Sequence, residues 1–286
     1  MAVTVAGLVA PARLAHDLPW VDTNGAPVML PGGGGIALGV HVGDQVDRWH
    51  ADHLMPGATI EDLQGAPASA GPLHLLACIG DRVRDGSGRP LGVVAGKRGG
   101  LAPDFIAPQL VSVEVPEARL AGVLPGARII LEALGRGLTL LDHPEVGVLN
   151  LSPRLLDRLP MAVRDASLII LVRAMVPARA MGSGMGQDPW VGGVEIADWT
   201  ALDPQLRLRF GDLVAIADFD SLVSRYRRPG YLSIGVVSHG PSPVPGHGIG
   251  LTIVLSGPTS AMAIELDDDA SLADAINDLA REDTAP

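Results

Sequence analysis

The stretch His41–Gly57 reads HVGDQVDRWHADHLMPG and contains three of the eight histidines of the chain. Its beginning, VGDQV at Val42–Val46, has the pattern apolar residue, Gly, Asp, any residue, apolar residue. The pattern recurs as IGDRV at Ile79–Val83 and as FGDLV at Phe210–Val214, and LPGARII at Leu124–Ile130 is a looser copy without the acid. Glycine permits a turn conformation, and aspartate accepts hydrogen bonds from nearby backbone amides. Each copy therefore predicts a turn that leads into a strand, with its aspartate in a structural role.

The composition extends this prediction to the whole chain. Thirty-six glycines and 24 prolines separate short apolar runs across 286 residues, which is typical of a β protein with many turns. VSVEV at Val111–Val115 alternates as a half-buried strand does, whereas LIILV at Leu168–Val172 is a continuous apolar run of strand length. We therefore expect a β-dominated α+β fold made of two β-rich barrel or sandwich-like domains with a few peripheral helices.

The domain boundary is expected near Pro160. A short helix is predicted over SPRLLDRL at Ser152–Leu159, because serine caps helices and proline suits the first helical position. A long apolar run follows it. We predict an N-terminal β-rich domain at residues 1–160 and a C-terminal β-rich domain at residues 161–286 that ends in an acidic helix.

Charge and cysteine content restrict the partners and the compartment. A net charge of −11 argues against binding to nucleic acid or to anionic membranes, and no apolar run approaches the ~18 residues of a membrane span. The N-terminus lacks a basic leader, and the single cysteine, Cys78, has no partner for an internal disulfide. These features predict a cytoplasmic protein, and we expect a homo-oligomer that acts on a small-molecule substrate.

Carboxylates and imidazoles in the opening stretch predict a site. In a helical turn beginning near Val46, residues three and four apart would lie together. Carboxylate and imidazole groups suit Zn²⁺, Mn²⁺ or Fe²⁺, and they suit acid–base catalysis equally well. An alternative is a hydrogen-bonded loop anchored by Trp49. The candidate metal ligands are Asp47, His50 and Asp52, and the candidate catalytic residues are Asp47, His50, His53 and His247.

Three further stretches are candidate walls of this site. SHGPSPVPGHGIG at Ser238–Gly250 carries two histidines on a backbone made rigid by prolines. GKRGG at Gly96–Gly100 exposes cationic side chains between glycines, which can clamp a carboxylate or phosphate. MGSGMG at Met181–Gly186 is a tight loop that can bind an anion through its backbone. The candidate substrate-binding residues in these stretches are Lys97, Arg98, Ser183 and His239.

Several of these motifs together resemble a known family. The segments GDQVDRWHADHLMPG, GVVAGKRGG, VPARAMGSGMG and IGVVSHGPSPVPGHGIGLTIVLSG are similar in order and spacing to the two-domain family DUF4438. The likeness extends from about Gly39 to Gly257. The family is a domain of unknown function, so the resemblance implies a two-domain fold and no particular activity. The glycine-rich histidine loop also shows a weaker likeness to the acetamidase and formamidase enzymes, which is an analogy at the level of fold.

The chain departs from the family pattern at three places. The resemblance implies a histidine in the GK-x-GG loop, where this chain has Arg98. It implies a Glu-His pair where residues 101–104 read LAPD, and His-Gly-Pro-Gly where residues 247–250 read HGIG. If the missing histidines are metal ligands in relatives, this chain has lost or rebuilt that metal site.

Three functions are compatible with these residues. The first is a metal-assisted hydrolase of amide or lactone bonds in a small molecule, because a metal ion activates water and polarises a carbonyl. The second is a metal-free cyclase, lyase or isomerase of biosynthesis, in which Lys97 and Arg98 hold an anionic substrate and a histidine moves a proton. The third is a metabolite-binding module without turnover.

Overall fold

The computed structural model describes residues 2–14, 20–63, 71–102 and 105–284. Strands of the first half alternate with tight turns. In chain order they are β1 (Val3–Val9), β2 (Arg13–Leu14), β3 (Trp20–Val21), β4 (Pro27–Val28), β5 (Pro31–Gly32), β6 (Ile36–Ala37), β7 (Gly57–Asp62), β8 (Arg82–Asp85), β9 (Pro90–Ala102), β10 (Phe105–Glu114), β11 (Arg128–Ala133) and β12 (Gly147–Val148).

Strands of the second half are longer on average and more deeply buried. They are β13 (Met161–Arg164), β14 (Ser167–Val172), β15 (Ala174–Pro177), β16 (Val194–Ile196), β17 (Leu213–Asp220), β18 (Tyr226–His239), β19 (Ile249–Pro258) and β20 (Met262–Leu266). The α-helices of the described residues are α1 (Pro72–Leu76), α2 (Glu117–Leu120), α3 (Pro153–Leu156) and α4 (Ala273–Thr284), and two 3₁₀ turns lie at Ala178–Ala180 and Trp199–Ala201.

The first half forms a closed antiparallel barrel. Its strand order is β1-β11-β8-β9-β10-β7, and β1 pairs a second time with β7, through Val9 opposite Ile60. That pairing removes the free edges which an open sheet would expose. Apolar side chains such as Val94, Val111 and Leu131 fill the interior.

The second half is built on one main sheet. Its order is β12-β19-β18-β17-β15. Both β16 and β12 pair with the outer edge of β19, β16 with its first residues and β12 with its last. A smaller sheet, β13-β14-β20, lies beside it. The prediction of a β-dominated fold with two β-rich domains is therefore confirmed. Because β12 already belongs to the main sheet, the division near Pro160 stays a prediction.

The two halves share a core. Ile79 and Val93 from the first half pack in one apolar cluster with Ile234 and Leu255 from the second. At Lys97 the backbone of β9 contacts the second sheet, since its N–H donates to Thr252 Oγ1 at 2.9 Å. The far end of β9, with Arg98 to Gly100, therefore lies where the two sheets meet.

The three Gly-Asp copies form the turns that their sequence predicts. Gly43, Gly80 and Gly211 have positive φ of 102°, 91° and 97°. Each following aspartate accepts a hydrogen bond from the backbone N–H three residues earlier, and the looser copy also turns at Gly126, with φ of 81°. Asp44, Asp81 and Asp212 are therefore structural, because their carboxylates close the turn.

The acidic C-terminal helix is held by the packing of its apolar face and by ion pairs at its last turn. Leu272, Ile276 and Leu279 pack into the shared core. At its last turn, Asp283 accepts hydrogen bonds from Arg154 at 2.7 and 2.8 Å and from Arg82 at 2.8 Å. One acid of this helix thus joins it to β8 and to α3 in the first half of the chain.

We expect Asp283→Asn to lower the free energy of unfolding by about 1–2 kcal/mol at pH 7, because it breaks two partly buried ion pairs. Burial would raise the pKa of Asp283, but Arg82 and Arg154 hold it below the ordinary 3.8. The stabilising contribution is therefore present above pH 3.8 and lost as the pH falls through the folded-state pKa. Urea denaturation at pH 7 and pH 3 measures both effects, with the exposed Asp278→Asn as the control. A loss that is equally large at pH 3 would contradict this assignment.

No helix in the described ranges is long and apolar enough to cross a membrane.

Candidate functional site

A carboxylate and two imidazoles converge where the second sheet meets the loop after β6. Oε2 of Glu195 lies 3.3 Å from Nε2 of His53 and 3.1 Å from Nδ1 of His247, and it accepts the backbone N–H of Gly248 at 2.9 Å. The nearest ligand atoms of Glu195, His53 and His247 all lie within 4.8 Å of one another. We refer to these three residues as the His-Glu cluster.

The main sheet positions Glu195 and a third histidine. Glu195 on β16 and His239 at the end of β18 lie opposite Gly250 of β19, one on each side. A Cβ on Gly250 would overlap the His239 ring. Glycine at this position therefore lets the ring of His239 approach Glu195, and Nε2 of His239 lies 3.9 Å from Oε1.

His53 comes from the first half of the chain and is held by backbone hydrogen bonds. Its own N–H donates to the Pro241 carbonyl at 3.1 Å, and the N–H of Gly240 donates to the Leu54 carbonyl at 2.7 Å. His53 adopts a positive φ of 53°, an uncommon conformation for a residue with a side chain. Such backbone strain persists only where surrounding contacts enforce it, and it concentrates at functional sites.

Asp52 supports His53 from behind. Asp52 Oδ1 lies 2.8 Å from His53 Nδ1, so the carboxylate is in close polar contact with the far side of the ring. Burial would raise the pKa of Asp52, but His53, Ser242 and Arg98 hold it at about 2. Asp52 is therefore ionised, and a carboxylate behind a histidine fixes the orientation of the ring.

The other ionisable groups of the site also have displaced pKa values. Burial would raise the pKa of Glu195, but hydrogen bonds from His247 and His53 keep it well below the ordinary value. The hydrogen bond to Glu195 raises the pKa of His247. Burial lowers the pKa of His239 to about 3, so this ring is neutral. Its Nδ1 donates to the Gly240 carbonyl at 2.9 Å, which leaves the lone pair of Nε2 directed at the cluster.

The His-Glu cluster has the chemistry of a site for a divalent metal ion. Imidazole nitrogen and carboxylate oxygen are ligands of Zn²⁺, Mn²⁺ and Fe²⁺. Ligands at about 2.0–2.1 Å from a tetrahedral ion lie about 3.3 Å apart. The separations of 3.1 and 3.3 Å around Glu195 Oε2 match that spacing. The residues therefore fit a metal ion, with Nε2 of His239 as an additional donor.

The structure gathers four of the nine residues that the sequence predicts for the site. Asp52, His53, His239 and His247 lie at the cluster. Their exposure differs, since the first three are buried and the His247 side chain retains 25% of its exposure. His247 therefore lies on the open side of the site.

Asp47 and His50 lie outside the cluster. Both side chains are exposed, and residues 46–53 form bends and turns rather than the helical turn that would have gathered them. Trp49 instead stacks on Phe210, with ring centroids 6.3 Å apart. The neighbouring Gly-Asp turn and this aromatic contact hold residues 46–53 in a non-helical conformation.

Lys97 has a structural position rather than a place in the site. It is fully buried, and its ammonium donates to Asn150 Oδ1 at 2.9 Å and to the Trp190 carbonyl at 3.2 Å. Burial lowers its pKa to about 8. Alternate residues of a strand point to opposite faces, so Lys97 and Arg98 point in opposite directions.

Replacing Lys97 by methionine, which keeps most of the apolar stem, should destabilise the protein by about 1–3 kcal/mol. Two acceptors, the buried Asn150 Oδ1 and the partly buried Trp190 carbonyl, would lose a partner. Metal affinity should be unchanged. Chemical denaturation and metal titration measure the two quantities. Unaltered stability together with lost ligand binding would return Lys97 to the site.

Arg98 and Ser183 lie at the border of the site. Arg98 is partly buried, and its charge acts on Asp52, Glu195, His239 and His247. Ser183 is joined to the cluster through its backbone, since its carbonyl accepts the Glu195 N–H at 2.9 Å and its own N–H donates to Gly246 at 3.1 Å. Of residues 101–104, where the resemblance implies a missing Glu-His pair, Pro103 and Asp104 lie outside the described residues.

Glu195 is the residue of the candidate site that the sequence did not identify. In VGGVEIAD it is one acid among apolar strand residues and glycines. A single carboxylate in a strand that is buried on both sides is itself a signal, because burying a charge is unfavourable without partners.

Comparisons with known proteins agree with the architecture. Models of the family described as "Domain of unknown function (DUF4438)" match residues 20–157 with its N-terminal part and residues 158–276 with its C-terminal part. A solved structure described as "Crystal structure of TM1086" is 33% identical, with a TM-score of 0.86, and the match covers 96% of each chain. A search of curated proteins gave no match.

Proposed function

Since the chain belongs to the DUF4438 family, a domain of unknown function, we propose its activity from the site: a metal-assisted hydrolase of amide or lactone bonds in a small molecule. The observation that carries this proposal is the convergence of His53, His247 and Glu195, whose ligand atoms, one from each residue, lie within 4.8 Å of one another. A divalent ion there would lower the pKa of a bound water and polarise the carbonyl of the substrate.

The residues of this chain have separate roles in that reaction. Glu195 and the two histidines would hold the ion, and Asp52 would fix the His53 ring with Nε2 directed at it. His239 serves better as a fourth ligand than as a base, because a group with a pKa of about 3 accepts protons poorly near neutral pH. His247, on the open side, borders the path of the substrate.

The setting of the reaction follows from bulk properties. We place the protein in the cytoplasm, with a small molecule as substrate and without nucleic acid or membrane as partner. A net charge of −11 and a single buried cysteine support that setting. The homo-oligomer stays a prediction.

Turnover of a panel of small amides and lactones tests the proposal. Protein loaded with Zn²⁺, Mn²⁺ or Fe²⁺ should hydrolyse a member of the panel, lose activity with a chelator and regain it when metal is returned. His53→Ala should be inactive, and His50→Ala, three residues away and exposed, should be active. Turnover that is indifferent to the chelator and to His53→Ala would contradict the proposal, and metal binding without any turnover would favour a metabolite-binding module.

A metal-free lyase, cyclase or isomerase is the second candidate. It is favoured by one observation, the hydrogen bond between His247 Nδ1 and Glu195 Oε2, which raises the pKa of His247 above its ordinary value and presents a histidine for proton transfer. In that case activity would persist in chelator and depend on His247.

A further inference from the structure

Arg98 carries a charge that the described part of the chain does not neutralise by contact. Its guanidinium forms no hydrogen bond and no ion pair with the residues described, although it is partly buried. Partial burial of a cation without a partner carries a cost in desolvation. An arginine in this position is available to bind a group that comes from outside the chain.

The charge of Arg98 interacts with two acids of the site. Burial lowers the pKa of Arg98, and the two carboxylates that oppose this effect are Asp52 and Glu195. Neither carboxylate is in ion-pair contact with it, because Asp52 contacts His53 and Glu195 contacts the histidines. The guanidinium therefore lies more than 4.0 Å from the carboxylate oxygens of both acids.

The balance of charge at the site specifies the sign of the charge that a ligand of Arg98 would carry. Asp52 and Glu195 together neutralise one divalent ion, and the histidines that ligate it are neutral. Arg98 is then the uncompensated charge of the site. A substrate with one negative group would neutralise it, and a carboxylate matches the planar fork of a guanidinium.

A glycine of the first half of the chain leaves room for the Arg98 guanidinium. Its Nη1 occupies the position that a Cβ on Gly33 would fill, and Leu110 Cδ1 lies 3.1 Å from the same position. Gly33 belongs to the PGGGG stretch at Pro31–Gly35, and the Pro31 carbonyl also accepts the Asp52 N–H at 2.9 Å. One glycine-rich stretch therefore locates both the guanidinium and the acid behind His53.

We propose that Arg98, placed over Gly33, is an anion subsite beside the His-Glu cluster, and that the substrate carries a carboxylate next to the amide or lactone bond that is cleaved. This inference rests on the proposed function, since the charge balance includes the metal ion. It assigns Arg98 to the binding of the substrate and leaves metal binding to the His-Glu cluster.

Binding of simple carboxylates to the metal-loaded protein tests the subsite. The probes are malonate, succinate and glutarate, which can contact metal and Arg98 together, and acetate, which can contact only one. By calorimetry, at least one dicarboxylate should bind on the order of tenfold or more tightly than acetate. In Arg98→Met that preference should disappear, while the affinities for acetate and for the metal ion stay as in the wild type.

Two further variants separate a positioning effect from loss of fold. Gly33→Ala keeps the arginine but displaces its guanidinium, so it should lose the preference as Arg98→Met does. Gly122→Ala is the matched control, because its Cβ would meet only the Arg119 carbonyl, at 3.5 Å. An unchanged preference for the dicarboxylate in both Arg98→Met and Gly33→Ala would overturn the subsite.

The experiments distinguish failure of the anion subsite from failure of the metal site. Full metal occupancy with no role for Arg98 would overturn the subsite and leave the proposed function intact. Absence of metal binding, with dicarboxylate affinity that still depends on Arg98, would overturn the hydrolase and support the subsite.

Discussion

Glu195→Gln should lower the affinity of the protein for a divalent metal ion by at least about 100-fold and abolish metal-dependent turnover. Replacing a residue that only supports a ligand costs about 10–100-fold in affinity, and Glu195 would be a direct ligand. Its Oε2 is the atom on which His53, His247 and the Gly248 N–H converge. Glutamine keeps the size of the side chain but removes the charge that balances the ion.

Glu145→Gln is the matched control, since the same substitution then falls on an exposed residue outside the site. Competition with a chelating dye measures both affinities. Circular dichroism shows whether each variant is folded. An affinity within threefold of the wild type in folded Glu195→Gln would remove Glu195 from the metal site.

Arg225→Met should destabilise the protein by about 3–5 kcal/mol, the largest effect on stability that we expect from one side chain. Arg225 is 1% exposed, and its guanidinium donates to the carbonyls of Gly193, Val191 and Asp188. Removing it leaves three carbonyls without this donor, at about 1–3 kcal/mol for each that stays buried. Relief from burying the charge offsets part of that loss, as burial has already lowered the pKa of Arg225 to about 10.

The segment that Arg225 fixes leads directly into Glu195, so metal affinity should fall together with stability. Arg227→Met, two residues further along β18 and exposed, should change stability by no more than about 0.5 kcal/mol. Urea denaturation of the two variants gives the comparison. Equal stabilities would show that the segment 188–193 is held by other contacts.

Local patterns in the sequence predicted the turns and the class of fold. Gly43-Asp44, Gly80-Asp81 and Gly211-Asp212 were predictable, because a positive φ at glycine and an i−3 hydrogen bond at aspartate involve only neighbouring residues. Closure of the barrel was not predictable from local sequence, because the pairing of Val9 with Ile60 depends on the register between distant strands. Alternating apolar residues specify a face, not a partner.

Only part of the site could be predicted, because some of its residues are recognisable locally and others are brought together by pairing between distant strands. His53 and His247 attract notice as histidines among glycines and prolines, whereas Glu195 resembles an ordinary strand residue. Only pairing of β16 with β19 brings it opposite Gly250 and beside the histidines. Asp47 and His50 were favoured because a helix would have gathered them, and the bends at residues 46–53 leave them exposed.

Anomalous diffraction from crystals grown with Zn²⁺ shows directly whether the His-Glu cluster binds a metal ion. We expect one strong peak at the zinc edge, about 2.0–2.2 Å from His53 Nε2, His247 Nδ1 and Glu195 Oε2, and no peak in Glu195→Gln. A cluster without a peak, or a peak at the exposed His50 instead, would contradict this expectation.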